Sequence, residues 1–200
     1  MVRLAPILCL SVLLLTACGP VLTPSAAVSP APNVGTAASA PRVEAPPVPP
    51  PAPPGTVLPD FACADATGGK TGVANTIAAR MNTQPAYDRF VLQFDPIVPT
   101  YTVKRQAKPV FPLGASGQNT SVQGNTGVLI TVHSATGATT FTGSTDIVQS
   151  QNKVLVEAKQ TQDFEGYVSW GLGLSRAACM RVFTLPDPAR LVVDFQTTTS

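Results

Sequence analysis

Residues 166–174 read Gly166-Tyr167-Val168-Ser169-Trp170-Gly171-Leu172-Gly173-Leu174. Val168, Trp170, Leu172 and Leu174 recur at every second position. Alternation with period two places them on one face of a β-strand and is incompatible with a helical stripe. Tyr167 falls on the opposite face. Trp170 shares its face with aliphatic neighbours and is therefore expected in a core.

The same period recurs on both sides of this stretch. Phe90, Leu92 and Phe94 share a face in Tyr87–Phe94, and Leu191, Val193 and Phe195 share one in Arg190–Phe195. Val154, Val156 and Ala158 alternate with Leu155, Glu157 and Lys159. Shorter candidates are Thr76–Asn82, Tyr101–Arg105, Val128–His133 and Met180–Leu185. Residues 74–81 have enough Ala for a short helix, but Ile77, Ala79 and Met81 alternate, and a strand is expected. Gly, Pro and Asn clusters separate the segments, as turns require. About eight short, mostly antiparallel strands predict an all-β sandwich over residues 60–200. Residues 114–127 read as a polar loop. Residues 134–150 are Thr-rich and leave room for one or two edge strands.

Residues 18–59 have a different composition. Thirteen of the 21 prolines lie between Pro20 and Pro59, including Pro46-Pro47-Val48-Pro49-Pro50-Pro51-Ala52-Pro53-Pro54. Such a segment lacks the apolar content to fold and is expected to be a disordered, partly polyproline II linker. Fully extended it reaches on the order of 120 Å. The two readings are a spacer and a ligand for a proline-binding domain, and the spacer is favoured.

The N-terminus explains what such a spacer connects. An apolar run of fourteen residues, Leu4–Ala17, follows Arg3. That is shorter than the roughly twenty residues of a spanning helix and has the form of a secretory signal, here residues 1–17. Leu15-Thr16-Ala17-Cys18 resembles the bacterial lipoprotein signal, the lipobox, in all four positions. The resemblance implies cleavage before Cys18, acylation of its thiol, and anchoring on the extracytoplasmic face of the cell envelope. Four cysteines occur. Cys9 leaves with the signal and Cys18 takes lipid, so Cys63 and Cys179 remain. In an oxidising compartment they read as one disulfide, the alternative being two separate buried thiols.

Composition narrows the function. Without Arg3 the chain has 12 basic and 11 acidic residues, and charged residues make up only 12% of the whole. Neither a nucleic-acid partner nor a polybasic membrane patch fits that balance. Gly68-Gly69-Lys70-Thr71 suggests a phosphate loop, but Ala64 stands where the motif needs its first glycine, so a turn is expected. His133 is the single histidine and sits at the end of an apolar strand. No set of zinc ligands accompanies it, and no metal or cofactor is expected. Asp163, Glu165, Asp187 and Asp194 show no spacing that singles out a catalytic pair. No catalytic residue is assigned. Tyr101 and Tyr167 are the candidate exposed aromatics for a ligand. Arg89, Lys104, Arg105, Arg176 and Arg190 are candidate contacts for acidic groups, with Arg176 grouped with the two tyrosines as the tentative site.

One block is more specific. Asp163-Phe164-Glu165-Gly166, then Gly171-Leu172, then Arg181-Val182-Phe183-Thr184-Leu185-Pro186-Asp187-Pro188-Ala189-Arg190-Leu191-Val192-Val193-Asp194 resembles the AMIN-like domain of bacterial envelope lipoproteins. Tyr87-Asp88-Arg89-Phe90 is similar to its early strand. The resemblance covers about residues 75–196. It implies an all-β sandwich and a non-catalytic module that binds peptidoglycan or another wall glycan, or else scaffolds an envelope complex. It supplies no catalytic residues. Within the block, Asp187-Pro188 is expected to turn the chain between two antiparallel strands. Arg190 and Asp194 then point away from Leu191 and Val193 and can pair with charges on neighbouring strands, worth about 0–1 kcal/mol if exposed.

Overall fold

The computed structural model describes residues 57–198. The signal, Cys18 and most of the linker lie outside the described residues. Thirteen strands follow one another: β1 (Ala66–Gly68), β2 (Ala74–Thr83), β3 (Tyr87–Asp95), β4 (Tyr101–Gln106), β5 (Val110–Pro112), β6 (Asn119–Ser121), β7 (Thr126–His133), β8 (Ala135–Thr136), β9 (Asp146–Val148), β10 (Leu155–Phe164), β11 (Tyr167–Leu174), β12 (Met180–Leu185) and β13 (Arg190–Gln196). No helix occurs among the described residues. The eight strands of six or more residues are the eight read from period two, and the other five are two or three residues long.

One sheet runs β1-β4-β7-β11-β10-β9 and the other β12-β13-β3-β2-β8. All pairings are antiparallel except β2 with β8. The two sheets form an all-β sandwich. Phe90, Leu92 and Phe94 on β3 and Leu191, Val193 and Phe195 on β13 face Val168, Trp170 and Leu172 on β11 and Ile130 and Val132 on β7. Trp170 is fully buried between Phe90 and Phe141, with ring centroids 5.5 and 5.9 Å away. The apolar faces read from the alternation are thus the faces that meet. Asp88 is buried at the other end of this core, where its Oδ2 accepts the backbone N–H groups of Val154 and Leu155 at 2.5 and 3.0 Å.

Strand β10 departs from the expected alternation. Val154, Leu155 and Ala158 are buried while Val156 is only half-buried. Register shifts at Leu155/Glu157 and Gln160/Gln162 are the cause. Each bulge inserts a residue that resets which side chain points inward. Glu157, opposite Gly173 on the outer face, is buried instead by the segment at Val122-Gln123, and its carboxylate accepts the Gln123 N–H at 2.7 Å.

Residues 114–127 are more ordered than a polar loop. Strands β5 and β6 form a hairpin that lies on the outer face of the six-stranded sheet. Phe111 is fully buried there, against Gly127 and Gly171, and Val122 packs on Gly173. A Cβ on Gly127 would stand 2.6 Å from the Phe111 ring, and one on Gly171 would collide with it as well. The glycines of Trp170-Gly171-Leu172-Gly173 therefore open a trough for the hairpin. Overpacking of this kind costs about 1–3 kcal/mol. Gly171→Ala is expected to lower the unfolding free energy by that amount, read as a lower urea midpoint with an unchanged slope. An unaltered midpoint would remove this account of the glycine.

Asp194 pairs with charges on neighbouring strands, as expected, but it does so buried rather than exposed. The turn at Asp187-Pro188 does set β12 antiparallel to β13. Asp194 is 0% exposed and is bound by arginines from both neighbouring strands. Arg89 donates to it through Nε and Nη2 at 2.6 and 2.9 Å, and Arg181 through Nε at 2.7 Å. Among the described residues Arg190 pairs with no carboxylate. Its Nε donates to the carbonyl of Pro188 at 3.1 Å.

Candidate functional site

The hairpin joining β10 to β11 has the sequence Asp163-Phe164-Glu165-Gly166-Tyr167. Glu165 and Gly166 both adopt positive φ, 51° and 77°. Two left-handed residues in succession form the primed turn whose twist matches antiparallel strands. The turn holds Phe164 and Tyr167 directly opposite each other. Since Val168 and Trp170 occupy the inner face, Tyr167 points outward, as the alternation predicted. Tyr167 is 42% exposed and Phe164 58%.

The next strand extends this row. His133, the last residue of β7, lies opposite Tyr167, with the two rings edge-on at 5.1 Å. One step along the sheet lies a polar row. Gln162 is opposite Ser169, Ser169 opposite Thr131, and Thr131 opposite Thr102. The Ser169 and Thr131 hydroxyls are 3.4 Å apart. Ser169 is buried at 5% exposure, so Thr102, Thr131 and Gln162 are the members a ligand reaches. An aromatic row beside these hydroxyl and amide groups suits a sugar ring. Such a ring has an apolar C–H face for stacking and a rim of hydroxyls for hydrogen bonds. Asp163 takes no part, because its carboxylate accepts the Thr136 hydroxyl at 3.1 Å and the Gly137 N–H at 2.9 Å.

The residues singled out in the sequence do not converge on this row. The expectation that Tyr101 is an exposed aromatic is corrected: it is 6% exposed and belongs to the main core. Tyr101 begins β4 on the same face as Val103, so the alternation turns it inward, and its hydroxyl lies over Gly68. Burial raises its hydroxyl pKa above the ordinary value. Arg176 lies past the far end of β11, and the seven steps from Tyr167 to Leu174 alone span about 23 Å. Its Nη2 donates to the Thr197 carbonyl at 2.7 Å. With Arg105, Cys63 and Cys179 it lines a shallow pocket of about 180 Å³. Tyr167 and Arg176 cannot touch one small ligand. The Cys63–Cys179 disulfide is present beside that pocket.

Phe164 and the place of His133 were not legible as a site. Their signal was the two-residue loop itself, because Glu165-Gly166 forces its two flanking aromatics into register. The turn expected at Gly68-Gly69-Lys70-Thr71 is corrected: Gly68 ends β1, Gly69 has positive φ and Lys70 bridges to Pro99, so the pair is a strand end that runs on into a bridge. Among the described residues no three His, Cys, Asp or Glu come together as a metal would require, and no helix is long and apolar enough to cross a membrane.

No curated protein and no solved structure matches the chain. The model of the AMIN-like domain matches residues 74–197, from the first residue of β2 to just past β13. The match takes in the eight long strands, the covering hairpin and the aromatic row. It leaves out β1 and Cys63. With more than half of its length matched over an all-β sandwich, the chain belongs to the AMIN-like domain family.

Proposed function

We propose that this chain is a lipid-anchored envelope protein whose AMIN-like domain is a non-catalytic binding module for peptidoglycan or another wall glycan. The row of Phe164, Tyr167 and His133 carries the reading, as it holds the two exposed aromatics among the described residues beside a run of hydroxyls. Membership of a family of cell-wall-related modules supports it. Cys18 supplies the anchor to the membrane, and residues 19–59 the spacer that lifts the domain toward the wall.

The chain from residue 19 onward is expected to co-sediment with purified peptidoglycan sacculi and to stay bound at high salt, because stacking is not screened. Tyr167→Ala and Phe164→Ala are each expected to weaken retention about tenfold, or 1.4 kcal/mol. Both side chains are exposed, so the melting temperature should stay within a degree or two. Retention equal to that of the parent protein in both variants would end this reading.

Scaffolding of an envelope complex is the second reading, and one observation favours it. Strand β12 ends the five-stranded sheet and is bridged on its outer side only at Met180, by Ala62. Its remaining edge can accept an added strand from a partner. A protein crosslinked through Phe183 or Thr184 in cells, together with no binding to sacculi, would replace the first reading with this one.

A further inference from the structure

The outer face of the five-stranded sheet points away from the aromatic row. Arg80 on β2, Arg89 on β3, Arg181 on β12 and Arg190 on β13 all project from it, as their registers with Val91, Asp194 and Gln93 require. Asp194 is spent on Arg89 and Arg181. Among the described residues Arg80, which is exposed, donates only to the Gln93 side chain, at 3.1 Å. Arg190 reaches only backbone carbonyls, those of Pro188 and Asp187.

The remaining carboxylates nearby belong to Asp187 in the β12–β13 turn and Asp95 at the end of β3, and neither bonds to Arg80 or Arg190. Burial first, and then the charges of Arg80 and Arg89, lower the Arg190 pKa, and the charge of Asp187 offsets them only in part. Cations crowded on one sheet face repel one another, which favours an anion arriving from outside.

The fixed pair shows what kind of anion the face can hold. Arg89 grips the Asp194 carboxylate with two N–H groups while Arg181 adds a third. Aromatic rings keep these guanidiniums in place: Arg181 lies 4.6 Å from the ring centres of both Phe61 and Tyr87, and Arg89 5.0 Å from Tyr87. The fork geometry of a guanidinium matches a carboxylate in this way. Arg80 and Arg190 carry the same fork without the carboxylate. They stand on the two strands flanking β3, opposite Val91 and Gln93, roughly 12 Å apart by strand spacing and the two-residue stagger. That separation suits two acidic groups on one extended chain.

We propose that the outer face of the five-stranded sheet is a second binding site, which takes a peptide bearing carboxylates through Arg80 and Arg190. It lies on the sheet opposite Tyr167 and does not rest on the glycan reading. If the peptide belongs to the wall polymer, the two faces grip its two chemical parts.

The test uses the chain from residue 19 onward and fluorescence anisotropy with labelled poly-glutamate, with poly-glutamine and polyphosphate of equal length as comparisons. Poly-glutamate is expected to bind and poly-glutamine is not. Arg80→Gln/Arg190→Gln is expected to weaken poly-glutamate binding at least tenfold without changing the melting temperature or retention on neutral chitin oligosaccharides. Arg80→Lys/Arg190→Lys keeps the charge, loses the fork, and is expected to weaken it by a smaller factor. Lys108→Gln/Lys153→Gln removes the same charge elsewhere, at two exposed positions, and is expected to leave binding intact. Absence of poly-glutamate binding would overturn the proposal, as would equal loss in the lysine-to-glutamine variant or tighter binding of polyphosphate. Loss of chitin binding in Tyr167→Ala bears only on the other face.

Discussion

Asp194→Ala is expected to destabilise the domain by about 3–5 kcal/mol, the range for removing one partner of a buried ionic group. The carboxylate is fully buried and receives three N–H donors from two arginines. The Arg89 and Arg181 side chains are themselves only 12% and 13% exposed. Taking away the carboxylate leaves two crowded cations that water reaches poorly. The Arg89 pKa makes the same balance visible: burial works to lower it, yet the hydrogen bond and charge of Asp194 hold it above the ordinary value.

The pattern of partial replacements discriminates between accounts. Asp194→Asn keeps the shape but loses the charge and is expected to cost nearly as much as the alanine. Replacing Asp194, Arg89 and Arg181 together by Leu, Met and Met is expected to recover most of the loss, because an apolar cluster needs no counter-ion. Urea denaturation of the four proteins measures this. A single-variant loss below about 1 kcal/mol would mean that the group behaves as a surface pair.

Removing the Cys63–Cys179 disulfide is expected to cost about 4 kcal/mol. The two cysteines are separated by 116 residues, so the bond closes a loop spanning nearly the entire described domain. In the chain-entropy account, a loop of that size restricts the unfolded chain strongly. The bond also secures a local contact. Ala62 and Met180 exchange two backbone hydrogen bonds at 2.8 and 3.0 Å, and Phe61 packs against Tyr87 and beneath Arg181.

Cys63→Ser/Cys179→Ser and the parent protein in reductant are therefore expected to unfold at the same, lower denaturant concentration. The double variant should be indifferent to reductant. If reduction leaves the parent protein's midpoint in place, the bond contributes nothing and the hydrogen-bonded contact alone holds residues 61–63.

Much of the architecture was legible because burial on a strand is recorded locally. Phe90, Leu92 and Phe94 announce an inward face whatever they pack against, and the same holds for Val168, Trp170 and Leu172. Tyr167 is outward for the same reason. The alternation also contained the correct answer for Tyr101, since Val103 shares its face, but six residues of one strand did not say which side was the core. The period failed at Leu155–Glu157, where a bulge leaves no mark in composition.

The sequence by itself determined the eight long strands, most of the faces that form the core, the tight turn at Asp187-Pro188 and the availability of Cys63 and Cys179 to each other. Each depends on side chains close along the chain or on a count of reactive groups. Only the tertiary structure decided what lies outside the core. It brought Phe111 onto Gly127 and Gly171, buried Asp194 between Arg89 and Arg181, set His133 against Tyr167, and left Arg80 and Arg190 without a carboxylate. Those partners are brought together by sheet order and register. Pairing energy is realised only once distant strands meet, and no local period encodes which strands will do so.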